Sequence, residues 1–315
     1  MNLLIAGTIG LDTIETPFAR AENVLGGSAV YASLAAGLFT QPGMVSIAGT
    51  DFTSEHASVL EKRAVDIGGV TITNGKTFRW GGRYDFDLNN RTTLFTELNS
   101  LAEFNPLLPE EYKPAPYVFL GNVAPALQMQ ILQQLSAPTF IALDTMNYWM
   151  EHAWNDLQAL LPCVDALIIN DAEARELSKE FNINKAAKKI LNMMSAASAS
   201  EKNTKTPLLI IKRGEYGLQM FQGSDIFSLP AFPLEEVFDP TGAGDSFAGA
   251  FMGYLAANGS ENWEALKRAC VAGSVLASFC VEHMGVQGLL DIDETKIKNR
   301  LAEFKRLTEF DLNID

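Results

Sequence analysis

Cysteine is scarce and positive charge is in deficit. The 315-residue chain has three cysteines, Cys163, Cys270 and Cys280. They are too few and too scattered for a disulfide framework or a zinc site, and each reads as a small buried apolar residue of a reducing compartment. Histidine is as rare, and His56, His152 and His283 stand isolated with no role assigned. Lys and Arg number 24 against 38 Asp and Glu, a formal charge of −14. That balance excludes a general affinity for nucleic acid or anionic lipid but leaves room for a local basic pocket around a phosphate. No apolar run approaches the roughly 20 residues of a membrane span. The first residues, Met1-Asn-Leu-Leu-Ile-Ala-Gly7, have no basic start and lose their apolar run at Gly7, so they read as a strand and not a signal peptide. A cytoplasmic location is expected. The glycosylation patterns at Asn90-Arg-Thr92 and Asn258-Gly-Ser260 are then incidental.

What is present suits a large core, with 47% hydrophobic and 20% charged residues. Leu3–Gly7 and Met44–Gly49 read as strands, Ser28–Leu38 and Thr53–Ala64 as helices. The same rhythm resumes at Tyr117, with strands at Tyr117–Gly121, Thr139–Leu143 and Asp165–Ile169. Between and after them fall helices at Ala126–Leu135, Glu151–Leu161, Asp171–Glu180 and Asn184–Ala197. Ser195–Thr206 is small and polar, hence a surface loop. Strands at Leu208–Lys212 and Gly217–Phe221 follow, and helices at Asn262–Glu282 and Asp293–Arg306 finish the chain. Strand–helix alternation at this pace predicts a parallel sheet covered by helices. No repeat or interdomain linker interrupts it, so one α/β domain spanning 1–315 is expected.

One segment breaks the rhythm. From Thr71 to Glu97 residues alternate, with Phe78, Trp80, Tyr84, Phe86 and Leu88 on one parity and Thr77, Arg79, Arg83, Asp85 and Asp87 on the other. Gly81-Gly82 marks a turn or bulge. This is an inserted antiparallel sheet, either a decorative hairpin or a lid over a site.

The most informative stretch is Asp239-Pro-Thr-Gly-Ala-Gly-Asp245-Ser-Phe-Ala-Gly-Ala-Phe251. Its glycines open a helix from about Ser246, leaving backbone N–H groups without helical acceptors. Such a corner binds anions. Asp245 there is either a plain helix cap or a base placed beside a phosphate. Two rivals for phosphate fail on spacing. Gly75-Lys76-Thr77 would need glycine at 70, where Val70 stands. Gly242-Ala-Gly244 lacks the third dinucleotide glycine, since position 247 is Phe.

The Asp239–Phe251 stretch resembles the C-terminal signature of the PfkB (ribokinase-like) family of carbohydrate and nucleoside kinases, and the resemblance extends over nearly the whole chain. It implies a doubly wound, mostly parallel sheet flanked by helices, with a small antiparallel lid formed by about 12–25 and 71–98. Gly7-Thr-Ile-Gly-Leu-Asp12 looks like the first-strand segment, implying that Asp12 holds acceptor hydroxyls. Leu25-Gly26-Gly27-Ser28-Ala-Val-Tyr31 resembles the Gly-Gly segment, with Tyr31 where many relatives have Asn. That tyrosine stacks on an acceptor ring or only packs. Asp144-Thr-Met-Asn147 resembles the Asp-x-Asn segment with one residue extra and without the arginine that often follows, implying acceptor contact by Asn147. Asn170-Asp-Ala-Glu173 matches the Asn-x-x-Glu motif, implying nucleotide contact by Asn170 and water-mediated Mg²⁺ binding by Asn170 and Glu173. The bare alternative is a helix cap. Ile211-Lys212-Arg213-Gly214-Glu-Tyr-Gly217 resembles the phosphate segment, implying nucleotide contact by Lys212, Gly214 and Gly217. The stretch Gly273–Gly285 lies where the family builds its adenine pocket, and its small apolar residues equally suit helix packing.

The activity implied is ATP-dependent phosphorylation of a hydroxyl, a primary CH₂OH, on a small sugar or sugar derivative. Asp245 is the implied base and Gly242, Ala243 and Gly244 the anion hole. The cofactors implied are ATP, Mg²⁺ and, near Asp239 and Thr241, a monovalent cation such as K⁺. Two other readings stay open: a nucleoside kinase with the lid aromatics around the base, and a catalytically silent ligand-binding regulator. Partners are then small molecules, with no nucleic acid or membrane. Exposed lid edges leave a homodimer open.

Overall fold

The computed structural model describes residues 1–195 and 205–309. In chain order its strands are β1 (Leu3–Ala6), β2 (Gly10–Glu15), β3 (Arg20–Gly26), β4 (Pro42–Ala48), β5 (Asp66–Ile72), β6 (Arg79–Tyr84) and β7 (Arg91–Glu97). Then come β8 (Tyr117–Leu120), β9 (Phe140–Leu143), β10 (Ala166–Asn170), β11 (Leu208–Lys212), β12 (Leu218–Gln222) and β13 (Asp225–Leu229). Nine of them form one sheet in the order β13-β12-β11-β10-β9-β8-β1-β4-β5. The strands from β5 to β11 along it are parallel; β12 and β13 close one edge antiparallel.

The apolar runs dictate this arrangement. Leu-Leu-Ile-Ala of β1, Tyr-Val-Phe-Leu of β8 and Phe-Ile-Ala-Leu of β9 are buried at every position. Strands without alternation need cover on both faces, which helices on both sides of a parallel sheet supply. Leu3 and Ile5 enter one core and Leu4 and Ala6 the other. β1 lies between β4 and β8, so the chain runs outward from it in both directions. The carboxyl end of such a reversal point is where α/β sheets place ligands.

Two helices on one face align their starts at that end. In the helix Ala243–Asn258, a Cβ on Gly249 would stand 2.0 Å from Ala32 O, and one on Gly253 would stand 2.9 Å from Ala36 Cα. The helix Ser28–Ala36 therefore runs alongside it in the same direction, backbone nearly against backbone. This brings the Gly26-Gly27 corner and the Gly242–Asp245 corner together.

The small sheet has the order β3-β2-β6-β7. β2 pairs antiparallel with β3 and parallel with β6, and β6 pairs antiparallel with β7, so the sheet is mixed. Its second segment begins at Arg79; Thr71 and Ile72, expected in it, end β5 of the large sheet. The irregularity expected at Gly81-Gly82 is a bulge whose extra residue, Leu94, lies on β7. Phe86 leaves the apolar face because Asp85–Asn90 is the connecting turn, and it is 82% exposed. Thr77, expected on the polar face, is wholly buried, donating to Asp51 Oδ1 (2.6 Å) and accepting from the Gly49 N–H (3.0 Å). The expected helix Glu151–Leu161 is two, Asn147–His152 and Trp154–Leu160, broken at Ala153. Cys163 is exposed, whereas Cys270 and Cys280 are buried as expected. The polar loop expected over 195–206 and the end of the helix expected over 184–197 lie largely outside the described residues. Among the described residues no helix is long and apolar enough to cross a membrane.

Candidate active site

The helix Ala243–Asn258 opens at Gly242, whose φ of 74° is the left-handed conformation that glycine adopts without strain. A Cβ there would strike the Tyr31 ring at 2.3 Å, so close approach also demands glycine. Ser246 N–H donates to Gly242 O (2.8 Å) and Ala243 N–H turns back to Pro240 O (3.3 Å). The second bond takes Ala243 out of the expected donor trio. The first-turn N–H groups of Gly244 and Asp245 fall where a helix offers no acceptor. Asp239 fixes the preceding loop: its carboxylate accepts from the N–H groups of Thr241 (2.8 Å) and Gly285 (2.9 Å). Thr241 Oγ1 donates to the Tyr84 hydroxyl at 3.1 Å. Both Asp239 carboxylate oxygens thus accept from backbone N–H groups, whereas Thr241 Oγ1 donates and keeps its lone pairs.

A cation lies against the corner. Lys212 ends β11, and its Nζ would be 2.7 Å from a Cβ on Gly244. It is 4.0 Å from Asp144 Oδ1, just beyond the end of β9. Asp144, Glu173 and Asp245 form one electrostatic cluster around this ammonium. Burial pushes Asp245 up to about 7, and the Asp144 carboxylate adds to the rise. Glu173 is raised to about 7 by the same two causes, and Asp144 is raised by burial. Lys212 and Arg91 pull all three back towards ionisation.

Asn170 and Glu173 come together as a capping box on the helix Asp171–Ser178. Asn170 Oδ1 accepts from the Glu173 N–H and Glu173 Oε2 from the Asn170 N–H, both at 2.8 Å. Besides capping the helix, the Glu173 carboxylate stands within the field of Asp144. Among the described residues no three His, Cys, Asp or Glu side chains converge to ligate a metal directly. The surplus of half-buried carboxylate over cation nonetheless suits a hydrated divalent ion.

On the other side of the corner, Asp12 of β2 is 4% exposed and its Oδ1 has no partner. Burial, with Asp239 and Asp245 adding to it, raises Asp12 to about 7. Asp12 Oδ2 would stand 2.2 Å from a Cβ on Gly26. Gly27, at φ 95°, starts the helix Ser28–Ala36, and Thr8 and Ser28 lock that start with reciprocal N–H to hydroxyl bonds of 3.0 Å. A Cβ on Gly10 would stand 2.9 Å from Asp12 Oδ1 and 3.3 Å from Phe78 Cδ1, so the carboxylate and the ring both border that position.

Other expected residues are placed differently. Tyr31 is 1% exposed, its ring beneath Gly242, and it packs. Asn147 begins a helix with its side chain exposed, so Asp144 is the inward residue of that segment. Gly273 is taken up by packing, since a Cβ would meet Phe247 Cδ2 at 2.6 Å. Gly217 lets the loop pass Leu229 O, which a Cβ would meet at 2.0 Å. Gly214, at φ 54°, faces the small sheet across from Asn89 Oδ1, 3.7 Å from a Cβ position. Sequence reasoning assigned no role to Asp144, although a carboxylate just after an apolar strand was signal enough. It also passed over Arg91, which no local pattern marks.

Fold and site together describe an α/β phosphotransferase. The chain belongs to the pfkB family of carbohydrate kinases, whose model matches residues 14–293. It is similar to a cytidine kinase of Thermococcus kodakarensis, with 29% identity over 258 residues that cover 80% of this chain and 87% of the relative. The fold matches the nucleoside kinase of Methanocaldococcus jannaschii with a TM-score of 0.74 at 19% identity, covering 96% of this chain and 99% of the other. It matches the ribokinase of Giardia lamblia with a TM-score of 0.79 at 16% identity, with coverage of 96% and 99%.

Proposed function

We propose that the protein transfers the γ-phosphate of ATP to a primary hydroxyl of a nucleoside. The observation that carries the transfer chemistry is Asp245, a half-buried carboxylate in the first turn of the Ala243–Asn258 helix with its pKa raised to about 7. A base tuned near neutrality can take a hydroxyl proton as the oxygen attacks phosphorus. The N–H groups of Gly242 and Gly244, with Lys212 beside them, take up charge on the moving group. Asp12, buried with an unpartnered oxygen, orients the acceptor by accepting its hydroxyls. The small sheet serves as a lid, and the Tyr84–Thr241 contact brings it onto the anion corner. Glu173 and Asn170, with Asp144, would hold Mg²⁺ through water, and the ion would neutralise phosphate charge when bound.

Two observations favour a nucleoside over a free sugar. Phe78 brings an aromatic ring near Asp12, and the curated relative at 29% identity phosphorylates a nucleoside by its name. An ADP-release assay with cytidine, uridine, adenosine, inosine, ribose and fructose as acceptors tests the reading. Turnover with a nucleoside is expected. Turnover with ribose or fructose alone would return the acceptor to the sugars. Tight binding of one compound with no turnover of any would make the chain a ligand-binding regulator.

A further inference from the structure

One aromatic ring lies against both glycine corners. Tyr31 sits in the first turn of the helix Ser28–Ala36, its N–H donating to Gly27 O at 3.2 Å. Side chains on a helix lean towards its N-terminus, so this one reaches back over the acceptor corner. A Cβ on Gly26 would stand 2.2 Å from Asp12 Oδ2 and 3.6 Å from Tyr31 Cε2, so carboxylate and ring border the same point. On the phosphate side, a Cβ on Gly242 would meet Tyr31 Cγ and Cδ1 at 2.3 Å. The ring thus sets the spacing of the two helix starts.

Packing accounts for the ring but not for its hydroxyl. Tyr31 is buried, and its Oη has no hydrogen-bond partner among the described residues. A phenylalanine would fill the same space without leaving a buried O–H bare. Burial, with Cys280, Asp239, Asp12 and Tyr84 adding to it, lifts the phenol well above its ordinary range, so it stays a donor. Three of those four neighbours are already engaged. Asp239 accepts two N–H bonds, the Cys280 thiol turns to Thr241 O (3.6 Å), and the Tyr84 hydroxyl is met by Thr241 Oγ1 (3.1 Å). Asp12 alone has a buried oxygen, Oδ1, without a partner. A spare donor and a spare acceptor are therefore buried side by side where the acceptor corner, the phosphate corner and the small sheet meet.

We propose that Tyr31 is a positioning residue that couples the acceptor site to the phosphate site: once an acceptor hydroxyl sits on Asp12, the Tyr31 hydroxyl donates to the same carboxylate and the ring is held against Gly242. The inference rests on the kinase reading above and adds a route between its two sites. A carboxylate oxygen has two lone pairs, so Asp12 Oδ1 can take the acceptor and the phenol together. Donors on Asp12 favour its charged form, and the charged form strengthens the bond from the phenol. The ring so held is the floor under Gly242, whose left-handed turn aims the first N–H groups of the helix Ala243–Asn258. The corner is then ordered before phosphate arrives. By linkage, ATP tightens the acceptor by the same factor as the acceptor tightens ATP.

The test measures affinity for adenosine 5′-(β,γ-imido)triphosphate with Mg²⁺ by calorimetry, with and without saturating acceptor, in full-length wild type and Tyr31→Phe. The acceptor is cytidine, or the panel member with the highest turnover. It is expected to tighten the analogue by about fivefold or more in wild type and by less than about twofold in Tyr31→Phe. The unfolding midpoint of the ligand-free protein separates this role from a structural one. Removing a hydroxyl that already holds the empty fold together lowers the midpoint, whereas removing one without a partner leaves it level or raises it. A lower midpoint in ligand-free Tyr31→Phe overturns the proposal. So does full coupling in that variant, or coupling below about twofold in wild type. Wild type that turns over no acceptor overturns the kinase reading instead, and this inference with it.

Discussion

Asp245 carries two opposed consequences of one environment. Burial and the Asp144 charge favour its neutral form, yet a base must be ionised. Its pKa of about 7 in the ligand-free protein therefore predicts that kcat/KM falls roughly tenfold per pH unit below about 7. Stability runs the other way. Asp12, Glu173 and Asp245 are all raised on folding, so their contribution is complete below the ordinary carboxylate range and is lost as pH rises through about 7. Denaturant midpoints of the ligand-free protein at about pH 5 and about pH 8 should diverge less in Asp245→Asn than in wild type. An equal divergence would mean that Asp245 titrates as an ordinary carboxylate. At this scale the sequence marked Asp245, Asp12, Glu173 and Lys212 because each sits in a short pattern at an element's end. Arg91 was illegible: its place in the field of Asp245 comes from the β6–β7 register, in which it pairs with Tyr84. Tyr31 was misleading, because an aromatic beside two glycines looks like a ligand contact until the ring is found beneath Gly242.

Among elements, the pair of helices starting at Ser28 and Ala243 sets the distance between acceptor and phosphate corners. Their contact relies on Gly249 lying against Ala32 O and Gly253 against Ala36. Gly249→Val should destabilise the protein by at least about 2 kcal/mol and widen the site, seen as a lower unfolding midpoint together with reduced kcat. An unchanged midpoint would show that the helices can part without consequence. The strands were legible because fully apolar runs such as Phe140–Leu143 admit little else. Boundaries were less so. Thr71 and Ile72 alternate like the segment after them, and only pairing with β4 assigns them to the large sheet. β13 was missed because its largely exposed Asp225–Leu229 carries no apolar periodicity and is held by the ladder with β12.

For the molecule as a whole, the excess of acid over base suits a protein that meets its phosphates at one guarded corner. That corner lies at the carboxyl end of the seven parallel strands from β5 to β11, between two helix starts and under a four-stranded sheet. The central claim is that Asp245 is the base of a phosphoryl transfer made there. The most direct measurement is steady-state turnover of Asp245→Asn alongside its affinity for ATP by calorimetry. The account predicts that kcat falls by about 10²–10⁴-fold while ATP affinity stays close to that of wild type. Near-normal turnover in that variant would contradict it.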